Sequence, residues 1–437
     1  MKKIIAGTVL FFIAVVLITP LFVGIAAEKK INEQISKVSL TTDVTISNIY
    51  KRNWFSSNAE TSFDLSQILA AYGLLRLDTM PDLGEIKVKT RSEIIHGPFP
   101  LKRFYPKQPL TFPLLGVTKN ISTITFPPDV LNFTPTITTY TSIYPNGSGS
   151  GAFTIPKFNY QISDTGKVLK ISEIDGEISF SSDMSKLFFS FNAPKIFFKS
   201  LDNEFEVNGL KCSWRNDRDI AGIQSGDFKL IFDNIISGKT KINNCEFSSF
   251  RKEEGSNLFF NTSISIKSFK DDNTGLGPVE IELSVKNIKK NAYKQLASLL
   301  SGLNNKSENQ FAHILMMTQI IGLLPELLSE SPEINLKKFE IGTPDGKVSI
   351  SASIKADEAE LINLNDLEGI INSITADFSM IIPNSIAEKY ILNNKNPRYI
   401  MLQSMMVEDG VNYTLDLKYN DSQFFVNGQP FSTDQGN

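Results

Sequence analysis

From about residue 41 onward, apolar and polar side chains alternate with a period of two, run after run. Val279, Ile281, Leu283 and Val285 alternate with Glu280, Glu282, Ser284 and Lys286. Val348, Ile350, Ala352 and Ile354 alternate with Ser349, Ser351, Ser353 and Lys355. Leu187, Phe189 and Phe191 repeat the pattern, as do Phe228, Leu230 and Phe232, and Tyr413, Leu415, Leu417 and Tyr419. A strand points successive side chains to opposite faces, so each run makes one buried and one wet face. That is the antiparallel signature; strands of a parallel sheet buried on both sides read as unbroken apolar runs. Turn signals punctuate the runs at Asp175-Gly176, Asn208-Gly209, Ser225-Gly226, Asp272-Asn273-Thr274-Gly275, Pro344-Asp345-Gly346 and Asn420-Asp421.

Helical periodicity returns late. Ala292, Leu296, Leu299, Leu300 and Leu303 fall on one helix face. A second helix is expected over about 307–328; its stretch Phe311–Leu324 is apolar nearly all round but too short to span a bilayer. A third helical region is expected over about 385–407, with Asn396-Pro397 as a cap and first-turn pair and Gly410 as its stop. The expected architecture is mainly β: an antiparallel body over 28–289, elongated and curved, then an α+β part over 290–437 with a helical cap.

The N-terminus sets the compartment. After Met1-Lys2-Lys3, the 24 residues Ile4–Ala27 carry no charge. As a helix that run is about 36 Å long, against about 30 Å of bilayer hydrocarbon. It reads as a single transmembrane anchor over 1–27. The competing reading is a cleaved signal peptide, with Gly24-Ile25-Ala26 as a cleavage site, but an uncharged core of about 7–15 residues is usual there. Lys2 and Lys3 before the span balance Lys29 and Lys30 after it. The three-residue head favours export of the C-terminal part, which in a bacterium places the body in the periplasm. Glu28–Lys37 continues the anchor as a polar helix.

Composition excludes several classes of chemistry. With 44 Lys+Arg against 47 Asp+Glu, the net charge of −3 argues against a nucleic-acid partner. Two Cys and two His exclude a multi-thiolate metal centre and leave little for histidine catalysis. No HExxH, CxxC, phosphate-binding glycine loop or G-x-S-x-G elbow occurs. No catalytic, metal or cofactor residue is nominated. His96 is weighed as a general base, but Gly97-Pro98 and Pro100 make a stiff corner at a strand end that the imidazole would brace. Arg91 and Glu93 fall on the opposite strand face from His96. His313 lies inside the apolar helix and reads as a core histidine. Cys212 shares a face with Leu210 and Trp214, and Cys245 with Phe247. They are either a disulfide or two buried thiols. A bridge closing that 33-residue separation would stabilise by roughly 3–4 kcal/mol.

Taken together, Tyr50-Lys51-Arg52-Asn53-Trp54-Phe55-Ser56-Ser57, His96-Gly97-Pro98-Phe99-Pro100-Leu101, Ala387–Tyr390 and Asn427-Gly428-Gln429-Pro430-Phe431 resemble the YdgA-like family of bacterial envelope proteins, a domain of unknown function. Tyr50-Lys51-Arg52-Asn53-Trp54-Phe55-Ser56-Ser57 is similar to its early signature, led by Tyr50 and Phe55. His96-Gly97-Pro98-Phe99-Pro100-Leu101 is similar to its most specific motif. Ala387–Tyr390 after Ile382-Pro383, and Asn427-Gly428-Gln429-Pro430-Phe431, resemble its late helix and closing hairpin. The two cysteines depart from the pattern. The resemblance implies an inner-membrane anchor, a periplasmic body and no established catalysis. The long antiparallel body also looks like the sheets of AsmA-type proteins, whose apolar groove is associated with lipid movement.

The function expected from these features is non-enzymatic. An inner-membrane-anchored periplasmic protein would bind or guide a lipid along a sheet groove. The alternative is an interaction scaffold, docking an envelope protein or a second copy of itself. The Phe-rich faces serve either reading, as an open groove or as a core closed by the C-terminal helices.

Overall fold

The computed structural model describes residues 25, 28–29, 32–33, 35–36, 39, 44–67, 85–96, 116–125, 134–144, 146–162, 167–183, 185–200, 204–218, 224–271, 274–303, 318–320, 322–323, 326–356, 373–393 and 397–431. Most of the expected anchor, Gly97–Pro100, and His313 with most of its helix lie outside them. Among the described residues no helix is long and apolar enough to cross a membrane.

Strands dominate and pair antiparallel, as the alternation requires. The chain forms two compact units: 1–196 with 215–217, and 197–214 with 218–437. Strand pairing runs across residues 289/290, with Val279 opposite Ile341.

The first unit holds β1 (Ser47–Arg52), β2 (Ser56–Asp64), β3 (Lys87–His96), β4 (Gly116–Thr125), β5 (Thr136–Ile143), β6 (Gly149–Ile155), β7 (Phe158–Ile162), β8 (Lys167–Ile171), β9 (Ile174–Phe180) and most of β10 (Lys186–Lys199). Pairing follows chain order from β1 to β6, then passes to β9 and β10, while β7 and β8 form a hairpin. Directly opposed residues share a face. One face therefore carries Tyr50, Ser57, Ala59, Val88, Ile94 and His96 toward its β1 end, and Phe153, Ile178, Leu187, Phe189 and Phe191 toward its β10 end. The Phe153 and Phe189 rings stack there, 5.2 Å apart and 5° from parallel. Asp175-Gly176, expected as a turn, is inside β9. Gly176 lies opposite Phe153, and a Cβ on it would come within 2.2 Å of that ring. Its lack of a side chain makes room for an aromatic rather than bending the chain.

The second unit continues with β11 (Glu204–Arg218), β12 (Gln224–Ser237), β13 (Thr240–Glu254), β14 (Asn257–Asp271), β15 (Thr274–Leu276), β16 (Val279–Lys289), β17 (Glu333–Thr343), β18 (Gly346–Ala356), β19 (Ile374–Pro383), β20 (Val407–Asp409), β21 (Asn412–Asn420), β22 (Gln423–Val426) and β23 (Gln429–Pro430). Asn208-Gly209 and Ser225-Gly226, also expected as turns, lie within β11 and β12. Gly209 sits at φ +64° with the Asp233 carboxylate against it. The hairpin turns include Pro344-Asp345 before Gly346, and Asp421-Ser422, whose residues lie at φ 50° and 60°. Two consecutive residues at positive φ make the tight turn that matches strand twist.

The helices are few. α1 (Lys290–Leu303) presents Ala292 and Leu296 inward, and its Tyr293 ring meets Phe260 at 5.2 Å. α2 (Asn384–Ala387) runs into a π-helical turn (Glu388–Leu392). α3 (Pro397–Met405) opens on Pro397, as read from the sequence. The helical region stops earlier than expected: Val407 begins β20, and Gly410, at φ +63°, turns the β20–β21 hairpin. Ala387, Ile391 and Met405 pack on Met380, Ile382 and Leu415. Leu415 is fully buried, so Leu415→Ala should lower unfolding free energy by about 2–5 kcal/mol. Gly176→Ala should cost about 1–3 kcal/mol through the clash with Phe153. A urea midpoint unchanged in both variants would contradict this packing.

Candidate functional site

The two best-defined sequence motifs meet in the first unit. The backbone N–H of His96, the last residue of β3, donates to the Phe55 carbonyl at 3.1 Å. That contact sets β3 against the start of β2. The face parity of the ladder then brings the His96 ring over Ser57. Ser57 Oγ lies 3.0 Å from His96 Nε2, with Ser57 0% and His96 2% exposed. Tyr50 comes in from β1 on the same face. Burial pushes its phenol pKa up, the Ser57 hydroxyl opposes that shift, Glu28 adds to it and Arg52 subtracts. The buried phenol oxygen nonetheless makes no hydrogen bond of good geometry, so Ser57 is a neighbour of Tyr50 and a bonded partner of His96.

Sequence reading quoted Ser57 as the tail of the Tyr50 signature and missed its pairing. The available signal was that two motifs on neighbouring strands each carry a polar residue of matching face parity. A serine beside a histidine is the elementary nucleophile–base unit. Here the hydroxyl is sealed from solvent, and the contact satisfies two polar groups inside the sheet layer. Thr118 and Thr141 extend the buried polar row on the same face.

Arg91 and Glu93 point to the opposite face, as expected. Arg91 Nε there meets Glu60 at 3.3 Å, and Lys89 Nζ meets it at 2.6 Å. Above β1, described residues of the 25–39 helical segment reach down: Glu28 pairs with Arg52 at 3.0 Å, and Asn32 accepts from Asn48 at 3.0 Å. Trp54 and Phe55 stand half exposed between β1 and β2.

Cys212 and Cys245 are both free thiols, so the disulfide alternative is not formed. β12 lies between their strands. Two strand spacings come to about 10 Å, beyond the reach of a disulfide. Burial raises both thiol pKa values. Among the described residues no cluster of three or more His, Cys, Asp or Glu side chains could hold a metal ion.

In the second unit, register sorts the side chains onto two unlike faces. Phe228, Leu230 and Phe232 of β12 lie in line with Phe247, Ile264, Ile281, Phe339, Ile350, Met380 and Leu415 of the following strands. The other face is polar. Cross-strand ion pairs lace it, Lys229 to Glu246 at 2.7 Å, Lys337 to Glu282 at 2.6 Å and Lys338 to Glu280 among them.

The whole chain, over residues 1–434, matches the model of DUF945, a bacterial protein family of unknown function. The chain belongs to this family. Comparison with curated proteins and with solved structures returned no match. Membership accords with the sequence resemblance, and the Ser57–His96 contact now joins the two motifs that carried it.

Ser57→Ala should cost about 1–3 kcal/mol by removing the serine partner of a buried imidazole nitrogen. A double-mutant cycle with His96→Phe should give a coupling of about 0.5–3 kcal/mol in urea unfolding. Independent, additive costs would show that the pair does not interact. Reductant should leave the unfolding midpoint unchanged. Because their pKa values are raised, both thiols should alkylate at pH 8 more slowly than free cysteine. Fast alkylation would contradict their burial.

Proposed function

We propose that this protein is a non-enzymatic component of the bacterial envelope, anchored in the inner membrane by its N-terminal segment with its body in the periplasm. Its second unit holds a lipid acyl chain against the apolar sheet face. The uncharged run of 24 residues supports the anchor. One observation carries the lipid reading. The apolar face runs from β12 to β21, but α2, the π-helical turn and α3 pack on its β18–β22 end. Toward β16–β18 the same face leaves Leu283 39%, Ile334 45% and Ile354 49% exposed. Ile334 and Ile354 are directly paired, and Leu283 lies beside them on the neighbouring strand. Soluble surfaces rarely expose neighbouring large aliphatic side chains without a partner for them. Each acyl methylene covered there would contribute about 0.8 kcal/mol, so part of one chain suffices for useful affinity.

A second reading rests on α3, where Ile400 and Met401 are more than half exposed on the surface turned away from the core. That surface would dock another envelope protein or a second copy of the chain.

Native mass spectrometry of the full chain after gentle extraction tests the first reading. Phospholipid should co-purify with the wild type and be lost from Ile334→Glu/Ile354→Glu, with far-UV circular dichroism unchanged. A wild type that never carries lipid would overturn it. In-cell crosslinking from a photoreactive residue at Met401 tests the second. An adduct of defined mass should form, and its absence would remove the docking surface.

A further inference from the structure

The polar face of the second unit changes character between β17 and β22. On β12–β17 its charges are neutralised in cross-strand Lys–Glu pairs, and its hydroxyls pair with each other, as Ser248 does with Ser263 at 2.6 Å. On β18 Lys347 and Ser349 still pair with Glu340, at 2.9 and 3.2 Å, and Ser353 donates to Asp377 at 3.4 Å, but toward β21 the pairing thins. Among the described residues, Asp416 and Lys418 form no ion pair, although both line an open groove of about 650 Å³. Register fixes what the groove presents. Asn335, Ser353, Asp377, Lys418 and Phe425 lie directly opposite one another across β17, β18, β19, β21 and β22. Ser351, Ser379 and Asp416 form a second row alongside. The first row continues from Asn335 to Ser284, which is fully buried with its hydroxyl unpaired.

We propose that this groove binds a neutral oligosaccharide lying across the strands. The lining carries alternating donors and acceptors about every 5 Å, the spacing of cross-strand neighbours. Over four strand gaps it extends about 19 Å, long enough for several sugar rings. The Asp377 and Asp416 carboxylates accept from sugar hydroxyls, the Asn335 amide and the serines both accept and donate, and Lys418 donates. Phe425 ends the row with a ring against which the C–H face of a sugar can pack.

The same chemistry disfavours other ligands. The two lysines of the groove, Lys337 and Lys418, are offset by Asp377 and Asp416, and no arginine lines it, so a phosphate or polyanion finds no net attraction. A bound peptide strand would need an unpaired sheet edge, whereas here the row crosses strands whose backbones are already paired. The site lies on the face opposite the apolar one and stands or falls independently of lipid binding.

The test is saturation-transfer difference NMR on the full chain in a non-glycosidic detergent, because maltoside headgroups would themselves occupy the groove. The probes are tetra-N-acetylchitotetraose and maltotetraose, with inorganic phosphate as the anion control. Transfer to the ring protons of at least one saccharide is expected. Phe425→Ala and Asp377→Asn should each weaken it about tenfold, the loss of one interaction worth about 1.4 kcal/mol. Ile334→Glu on the apolar face should leave it unchanged. Asp377→Asn keeps size and packing, so it remains informative if Phe425→Ala is unstable. No transfer to either saccharide, transfer indifferent to both groove variants, or displacement by phosphate would overturn the assignment.

Discussion

Cross-strand register is the constraint on which everything else in this protein depends. With side chains alternating at a period of two, a slip of one residue would carry every apolar side chain of a strand to the wet face. In the second unit the sets centred on Ile281, Phe339, Ile350 and Met380 coincide only because register is kept across each pair. Where β17 carries an extra residue between Leu336 and Phe339, bulges against β16 and β18 absorb it and return both residues to the apolar face. The cross-strand Lys–Glu pairs on the opposite face select the same register, since a slip would bury those charges.

The same rule explains the junction of motifs in the first unit. Tyr50 and Ser57 share one short segment, His96 lies 39 residues beyond Ser57, and the three come from three strands. Their face parities agree, so pairing alone places them together. Ser57 and His96 are buried and bonded to each other, which removes the cost of hiding two polar groups. The Ser57–His96 contact therefore ties β2 to β3 beside Tyr50 of β1.

Two unlike faces on one set of strands also make two kinds of ligand chemically distinct. On the proposed reading the apolar face would recognise by area removed from water, with no directional demand. The polar groove, as proposed, would recognise through hydrogen bonds whose geometry fixes orientation, with the Phe425 ring at the end of its row.

Local chemistry was enough to determine the antiparallel β class, the strands with one wet side, the helix opening at Pro397, and the turn at Pro344-Asp345, and it placed the turn read at Asn420-Asp421 within one residue of the observed Asp421-Ser422. Each of these follows from side-chain period or from backbone preference within a few residues. Glycine was where the sequence misled. Gly176 and Gly209 looked like turns, yet serve as clearances beneath Phe153 and beside Asp233. A missing Cβ suits either use, and only the neighbour that occupies the space distinguishes them. Likewise, parity put Cys212 and Cys245 on apolar faces but could not show that β12 would separate them. Tertiary pairing alone decided that Ser57 would meet His96, that β16 would pair with β17, and which part of the apolar face the C-terminal helices would cover. Those outcomes depend on which strand lies beside which, and a period of two is the same whatever neighbour a strand acquires.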